Sequence, residues 1–323
     1  MNPLYETNHI FDLVPYSPEQ KETWDTFVRN SRNGTFLAER NYMEYHSDRF
    51  RCASIIAYRN GKPAALLPAC LLEDRTLSSH AGLTYGGWIL PQAHMDGSLI
   101  LQLFREWIDF CRLHDYKAID YKPIPHIYTC MPSQEDIYAL WMCDFSLSGV
   151  TLSSAIDLRG NWKFNMSKRQ QVRKALRHNI SCSETTDYKT FWSILNTCLA
   201  DRHSAKPVHS LEEISLLAKK FPSNIRLHTL NDEEGMQAGV CIYDTGRVAH
   251  AQYTATTPKA RERSYLAALY HHLLTDVYHN RDYFDFGTSN EDGGRILNSG
   301  LLNQKYSMGG TGVVYQRFIL PLK

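Results

Sequence analysis

The sequence predicts a mixed α/β fold in which one α/β unit is used twice, and three observations predict it. Each half of the 323-residue chain reads as two helices, three strands, a helix and a strand. An apolar helical stripe, Ile100, Leu103, Phe104, Trp107, Ile108 and Cys111, returns 166 positions later as Leu266, Leu269, Tyr270, Leu273, Leu274 and Val277. His80, Ala81 and Thr84 stand 170 positions before His250, Ala251 and Thr254, and Asp120 stands 165 before Asp285. The length suits about two domains. They are expected over 1–150 and 151–323, meeting where Ser146, Ser148, Gly149, Ser153 and Ser154 mark a shift in composition.

The elements follow in order. Ser17 to Gln20 has the form of a capping box with Pro18 at the first helical position, and Trp24, Phe27 and Val28 supply the apolar face of a first helix. A second helix is expected over 39–46. Residues 53–58 and 64–72 flank Asn60-Gly61, a hairpin signal, and a third strand is expected over 83–90, followed by the 100–111 helix and a strand over 118–121. In the second half, helices are expected over 187–199 and over 210–221, which opens on a capping box at Ser210 and Glu213. Strands over 225–230, 237–243 and 248–254 are separated by polar turns, then comes the second apolar helix. Tyr283 to Phe286 reads as a buried strand ended by Gly287, a short helix is expected through Arg295 to Leu297, and a strand over 313–320 closes the chain.

Composition excludes several classes. Thirty-five Lys and Arg against 34 Asp and Glu leave the chain near neutral, which argues against a generalised polyanion binder, DNA included. The eight cysteines form no CxxC pair and several lie in apolar runs, so reduced core thiols and a cytoplasmic location are expected. Neither a signal peptide nor a run long enough to span a bilayer is found. Histidine is plentiful, but no HExxH or Cys/His cluster has ligand spacing, and no metal is expected. GxSxG, Walker A and GxGxxG patterns are absent.

Chemistry-bearing residues gather in the second half. Asp285 is a carboxylate set among aromatics. With His250 on the neighbouring strand and Tyr253 three residues on, it offers the base, proton relay and ammonium anchor that acylation of an amine requires. The alternative is a hydrogen-bonded core histidine, an interior tyrosine and a satisfied aspartate. Gln252, Ser289, Asn298, His209 and Arg202 stand around these positions as substrate-binding candidates, the last two flanking a proline-containing loop that either covers a cleft or is plain surface. Lys163, Lys168, Arg169, Arg173, Lys174 and Arg177 follow one another with no acidic residue between Asp157 and Glu184. On a helix Arg169, Arg173 and Arg177 stack above one another, a phosphate-binding face or a solvated one.

Five stretches carry a resemblance: NGTFLAERNYMEYHSDRF (33–50), SSHAGLTYGGWI (78–89), SKRQQVRKALRHNI (167–180), HAQYTAT (250–256), and DFGTS with GLLNQKYSMGG (285–289 and 300–310). Together with the doubled element order they resemble tandem GNAT-fold proteins, and among these the FemABX-type peptidyltransferases and related GNAT-like acetyltransferases. The resemblance implies two GNAT-like domains, an acceptor-side domain at 1–150 and a catalytic cleft at 151–323. It further implies transfer of an acyl or aminoacyl group from aminoacyl-tRNA or acetyl-CoA, with no tightly bound cofactor, to an amine on a cell-envelope or glycan precursor that is small, nucleotide-linked or lipid-linked. Lys305 matches the lysine of the FemABX Phe-Lys pair, which contacts substrates, although Gln304 stands in the place of the Phe. In the first half, His80, Tyr85, Lys122 and Tyr128 would line the acceptor pocket, whereas tight turns and packing account equally for Gly86 and Gly87. Acetyl-CoA users hold the pyrophosphate on spaced glycines at a helix N-terminus. Residues 257–264 contain no glycine, which leaves Lys259, Arg261 and Arg263 to hold phosphates by their side chains. A non-catalytic binding protein on a degenerate GNAT pair is the reading from another class.

Overall fold

The computed structural model describes residues 9–79, 81–93, 95–203 (side chains to 200) and 207–322. The chain divides into one unit of Met1–Val150 with Tyr315–Lys323 and a second of Thr151–Val314. The tail, expected in the second domain, clusters with the first because Phe318 to Pro321 pairs antiparallel with Ala118–Tyr121.

In the first unit, Asp12–Pro15, Ile55–Arg59 and Lys62–Leu67 form a three-stranded antiparallel sheet. Its hairpin turns on Asn60 and Gly61, both with positive φ (52° and 71°), the pair a two-residue primed turn requires. A second sheet runs from Arg51–Cys52 through Cys70–Leu71, Thr76–Ser78 and Ala118–Tyr121 to the chain's final strand. The helix Gly97–Leu113, capped by Asp96 accepting from Leu99 N, buries the expected stripe of Ile100, Leu103, Phe104, Trp107, Ile108 and Cys111. The strand expected over 83–90 does not form. Gly87 turns there at φ +79°, and a Cβ on Gly86 would lie 2.2 Å from Ser79 O, so the segment folds closely over its neighbours and pairs at the isolated bridge Leu66↔Ile89. The strand beside Ala118–Tyr121 is Thr76–Ser78 instead.

The second unit's sheet runs Ser181–Thr185, Ile225–Asp232, Gly235–Asp244, Val248–Thr256, Tyr283–Thr288 and the far end of Ser146–Asp157. All neighbours are antiparallel except Val248–Thr256 with Tyr283–Thr288. The region read as a compositional junction is thus a twelve-residue strand, Ser146–Asp157. Its serines alternate with apolar residues too weakly to announce it. On one face pack the helices Met166–Ala175 and Tyr265–His272, enclosing Val172, Ala175, Leu269, Tyr270, Phe284 and Phe286. On the other face Tyr188–His203 runs over the sheet. A Cβ on Gly239 would lie 2.5 Å from the Phe191 ring, so Gly239→Ala is expected to lower stability by about 1–3 kcal/mol in urea unfolding. The short helix expected through Arg295 to Leu297 is a small hairpin of Asn290–Glu291 with Ile296–Leu297, and the helix begins later, at Ser299–Ser307.

Candidate active site

The parallel pair at the centre of the second unit ends abruptly. Val248 pairs with Tyr283, Ala249 with Phe284 and His250 with Asp285, and beyond that register the two strands part. His250 and Asp285 therefore stand at the mouth of the split. Ala249, Ala251, Phe284 and Phe286 face the core under Tyr265–His272, so alternation puts His250 and Asp285 on the opposite face. Asp285 is fully buried. It accepts from Ser153 Oγ at 2.5 Å, from the Gly287 amide at 3.0 Å, and meets His250 Nδ1 at 2.9 Å. The His250 side chain retains 13% exposure. A carboxylate on Nδ1 fixes the imidazole tautomer with Nε2 as the basic nitrogen. Asp285 is walled in by these partners, a placement at odds with the expectation that it anchors a substrate ammonium.

A bulge aligns the next residue. Cys241 pairs with Tyr253 and Ile242 with Ala251, leaving Gln252 without a register partner. In a regular strand positions 250 and 253 would point to opposite faces. The extra residue returns Tyr253 to the face of His250, where its ring meets Trp192 edge-on and its hydroxyl lies 2.5 Å from His209 Nδ1. The structure thus brings His250 together with Asp285, and Tyr253 together with His209. Tyr253 and His209 are both buried.

Lys305 lies on the helix Ser299–Ser307, against the turn that follows Asp285. It is 6% exposed and donates from Nζ to Gly287 O at 2.8 Å and Thr288 O at 2.7 Å, holding the turn that ends the Asp285 strand. Gly287 makes that turn at φ +77°, with its Cβ position 3.5 Å from His250 Cε1. Burial pushes the Lys305 pKa down to about 8, against the pull of Asp285. Asn298 is likewise structural: its Oδ1 caps the Ser299–Ser307 helix at Leu301 N, and its Nδ2 donates to Glu291. Ser289 is fully buried beside Leu152 O.

On the helical face, a cavity of about 280 Å³ is lined by Lys168, Gln171, Thr256, Arg261, Ser264, Tyr270, Gln304 and Met308. Of the three cations expected to hold phosphates, only Arg261 lines it. Lys259 is held by Asp232 and Glu234 (2.8 and 2.7 Å) and Glu233 (3.2 Å), and Arg263 faces Glu233 and the Tyr265 hydroxyl. The acidic turn that neutralises them lies some 25 residues upstream, invisible to local reading. Arg169 and Arg173 lie on the exposed face of Met166–Ala175, and the buried cation there is Lys168, whose pKa burial lowers. The missing glycine cradle also has a counterpart. Ser264, at the cap of Tyr265–His272, adopts the left-handed conformation (φ 62°) that glycine would favour.

In the first unit Tyr85 and Tyr128 are brought together, ring centroids 4.6 Å apart, with Tyr128 OH 3.1 Å from Tyr315 OH. Burial lowers the pKa of Lys122. His80 and the side chain of Arg202 lie outside the described residues. The doubled motif is present in altered form. Ser78 pairs with Asp120 at the end of the parallel strands, as His250 does with Asp285. Arg317 meets Asp120 from two residues before its antiparallel partner Ile319, as Ser153 meets Asp285 from two before Ala155. The counterpart of His250 is therefore Ser78 rather than His80.

A parallel pair opening at its centre beside a helix N-terminus defines a class, the GNAT-fold acyltransferases. The family description "Acetyltransferase (GNAT) domain" matches residues 166–292. Among solved structures the chain is similar to FemX (TM-score 0.69, 11% identity, 96% of this chain and 97% of that one). It is also similar to L-PGS from Bacillus licheniformis (0.61, 13%, 94% and 91%) and to a tandem GNAT protein from the clavulanic acid biosynthesis pathway (0.51, 10%, 97% and 99%). No curated protein matches in sequence. The chain thus has a tandem GNAT-like fold similar to that of FemX, and the residues that match the acetyltransferase-domain description lie in the second unit. No described helix is long and apolar enough to cross a membrane.

Proposed function

We propose that the chain transfers an acyl or aminoacyl group to an amino group on a cell-envelope or glycan precursor, with His250 as the general base. The observation that carries this reading is the Ser153–Asp285–His250 chain of hydrogen bonds at the point where the parallel strands part. The acceptor amine approaches on the His250 face. The donor's acyl group enters through the split from the cavity beneath Tyr265–His272. As nitrogen attacks the acyl carbon, His250 Nε2 takes its proton, the carrier leaves with the electron pair of the broken bond, and Asp285 stabilises the imidazolium. Lys168 and Arg261 hold the phosphate of the carrier at the cavity.

A second reading, a CoA-dependent N-acetyltransferase acting on an amino sugar, draws on the left-handed Ser264, which opens the helix N-terminus as a glycine would. A thermal-shift series separates them. Stabilisation by nucleotide-linked envelope precursors but not by CoA supports the first reading, and the reverse supports the second. Stabilisation by neither, with no acylation of an amine panel by either donor, would leave a non-catalytic binding protein. In either enzymatic case Arg261→Ala and Lys168→Ala are expected to weaken donor binding about tenfold each and to flatten its salt dependence, measured by titration across ionic strength.

A further inference from the structure

We propose that Cys52 and Cys70 form a hydroperoxide-responsive thiol pair that closes to a disulfide. The two residues stand directly opposite each other on the antiparallel strands Arg51–Cys52 and Cys70–Leu71. The next pair along, Ala53 and Ala69, is joined by the Ala53 N–H donating to Ala69 O at 3.0 Å. Hydrogen-bonded and non-bonded pairs alternate in such a ladder, so Cys52 and Cys70 form a non-bonded pair. In that class the Cα atoms stand about 4.5 Å apart and the side chains come closest. A disulfide needs a Cα separation of about 4.4–6.8 Å, so the backbone already meets the requirement. Both thiols are free.

Their surroundings divide the labour. Cys52 is exposed and Cys70 buried. Beside the Cys52 sulfur, at 3.4 Å, lies the Arg40 guanidinium, itself 3% exposed, seated 3.8 Å over the Tyr16 ring and bonded to Glu44. The Ser54 hydroxyl is within 3.5 Å. Burial pushes the Cys52 thiol up, but Ser54 and Arg40 outweigh it and hold it below its ordinary value, whereas burial raises Cys70. An accessible thiol beside a fixed cation is the attacking partner, and the enclosed one resolves it.

The steps balance with a hydroperoxide as oxidant. The Cys52 thiol gives up its proton to solvent, its sulfur attacks the terminal oxygen, an S–O bond forms, the O–O bond breaks, and the departing alkoxide or hydroxide takes a proton from solvent and leaves as alcohol or water. Cys52 is oxidised to the sulfenic acid and the peroxide is reduced. The Cys70 thiol then attacks the Cys52 sulfur, the S–S bond forms, the S–O bond breaks, and water departs with the Cys70 proton.

The test treats the reduced full-length protein with hydrogen peroxide and maps its peptides without reduction. The expected result is a linked pair containing Cys52 and Cys70 in a chain lighter by two hydrogens. In Cys70→Ser, Cys52 should accumulate as sulfenic acid captured by a cyclic 1,3-diketone, and Cys52→Ser should give neither product. Before oxidation, Cys52 should alkylate at least about tenfold faster than the exposed Cys130 at neutral pH. Equal alkylation rates, or a wild-type map without the Cys52–Cys70 peptide, would overturn the proposal. The wild-type measurements decide it even where a variant fails to fold.

Discussion

Replacing Asp285 by Asn is expected to lower amine acylation roughly a hundred- to ten-thousand-fold while leaving the fold intact. The carboxylate is buried and receives Ser153 Oγ and the Gly287 amide on Oδ1, contacts that the amide oxygen of Asn can keep. The amide nitrogen then faces His250 Nδ1 and donates to it, so the imidazole carries its proton on Nε2 and cannot accept one there. Circular dichroism and unfolding midpoints close to wild type, with turnover lost, are the expected pair of results. Turnover at the wild-type level would remove Asp285 from the mechanism.

Lys305→Met is expected to cost about 1–3 kcal/mol at neutral pH, because Gly287 O and Thr288 O lose their charged donor. The loss has a pH signature. Lys305 titrates at about 8 in the folded chain, below its ordinary 10.5. Between those values the unfolded chain holds the extra proton, so wild-type stability rises as pH climbs through this window. Met carries no such proton. Urea midpoints of the two proteins should therefore draw further apart from pH 8 to pH 10, and a constant gap would mean that Lys305 is not held as described. The same variant should reduce acylation, since the turn at Gly287 that Lys305 holds lies against His250.

What the sequence made legible was the strongly patterned helices and strands and the nearness of the carboxylate to the histidine. The Ser210 capping box, the 100–111 stripe and the strands of the second half carry strong local signals, because capping and periodicity are written within a few residues. Pairing Asp285 with His250 needed only that two strands be adjacent. What escaped depends on residues far apart in the chain. The neutralisation of Lys259 by Asp232 and Glu234, the burial of Lys168, and the bulge at Gln252 that turns Tyr253 onto the His250 face are set by packing across the sheet. The two-residue slip that makes Ser78 the counterpart of His250 has the same origin. Sequence offset measures loops as well as strands, whereas the strand register fixes which residue faces the aspartate.

The central claim is that the second unit alone supplies the base for acyl transfer, and paired substitutions at His250 and its first-unit counterpart test it most directly. Steady-state acylation of an amine acceptor should fall roughly a hundred- to ten-thousand-fold in His250→Gln and stay within about twofold of wild type in Ser78→Ala, where no base is removed. Wild-type turnover in His250→Gln would contradict the account.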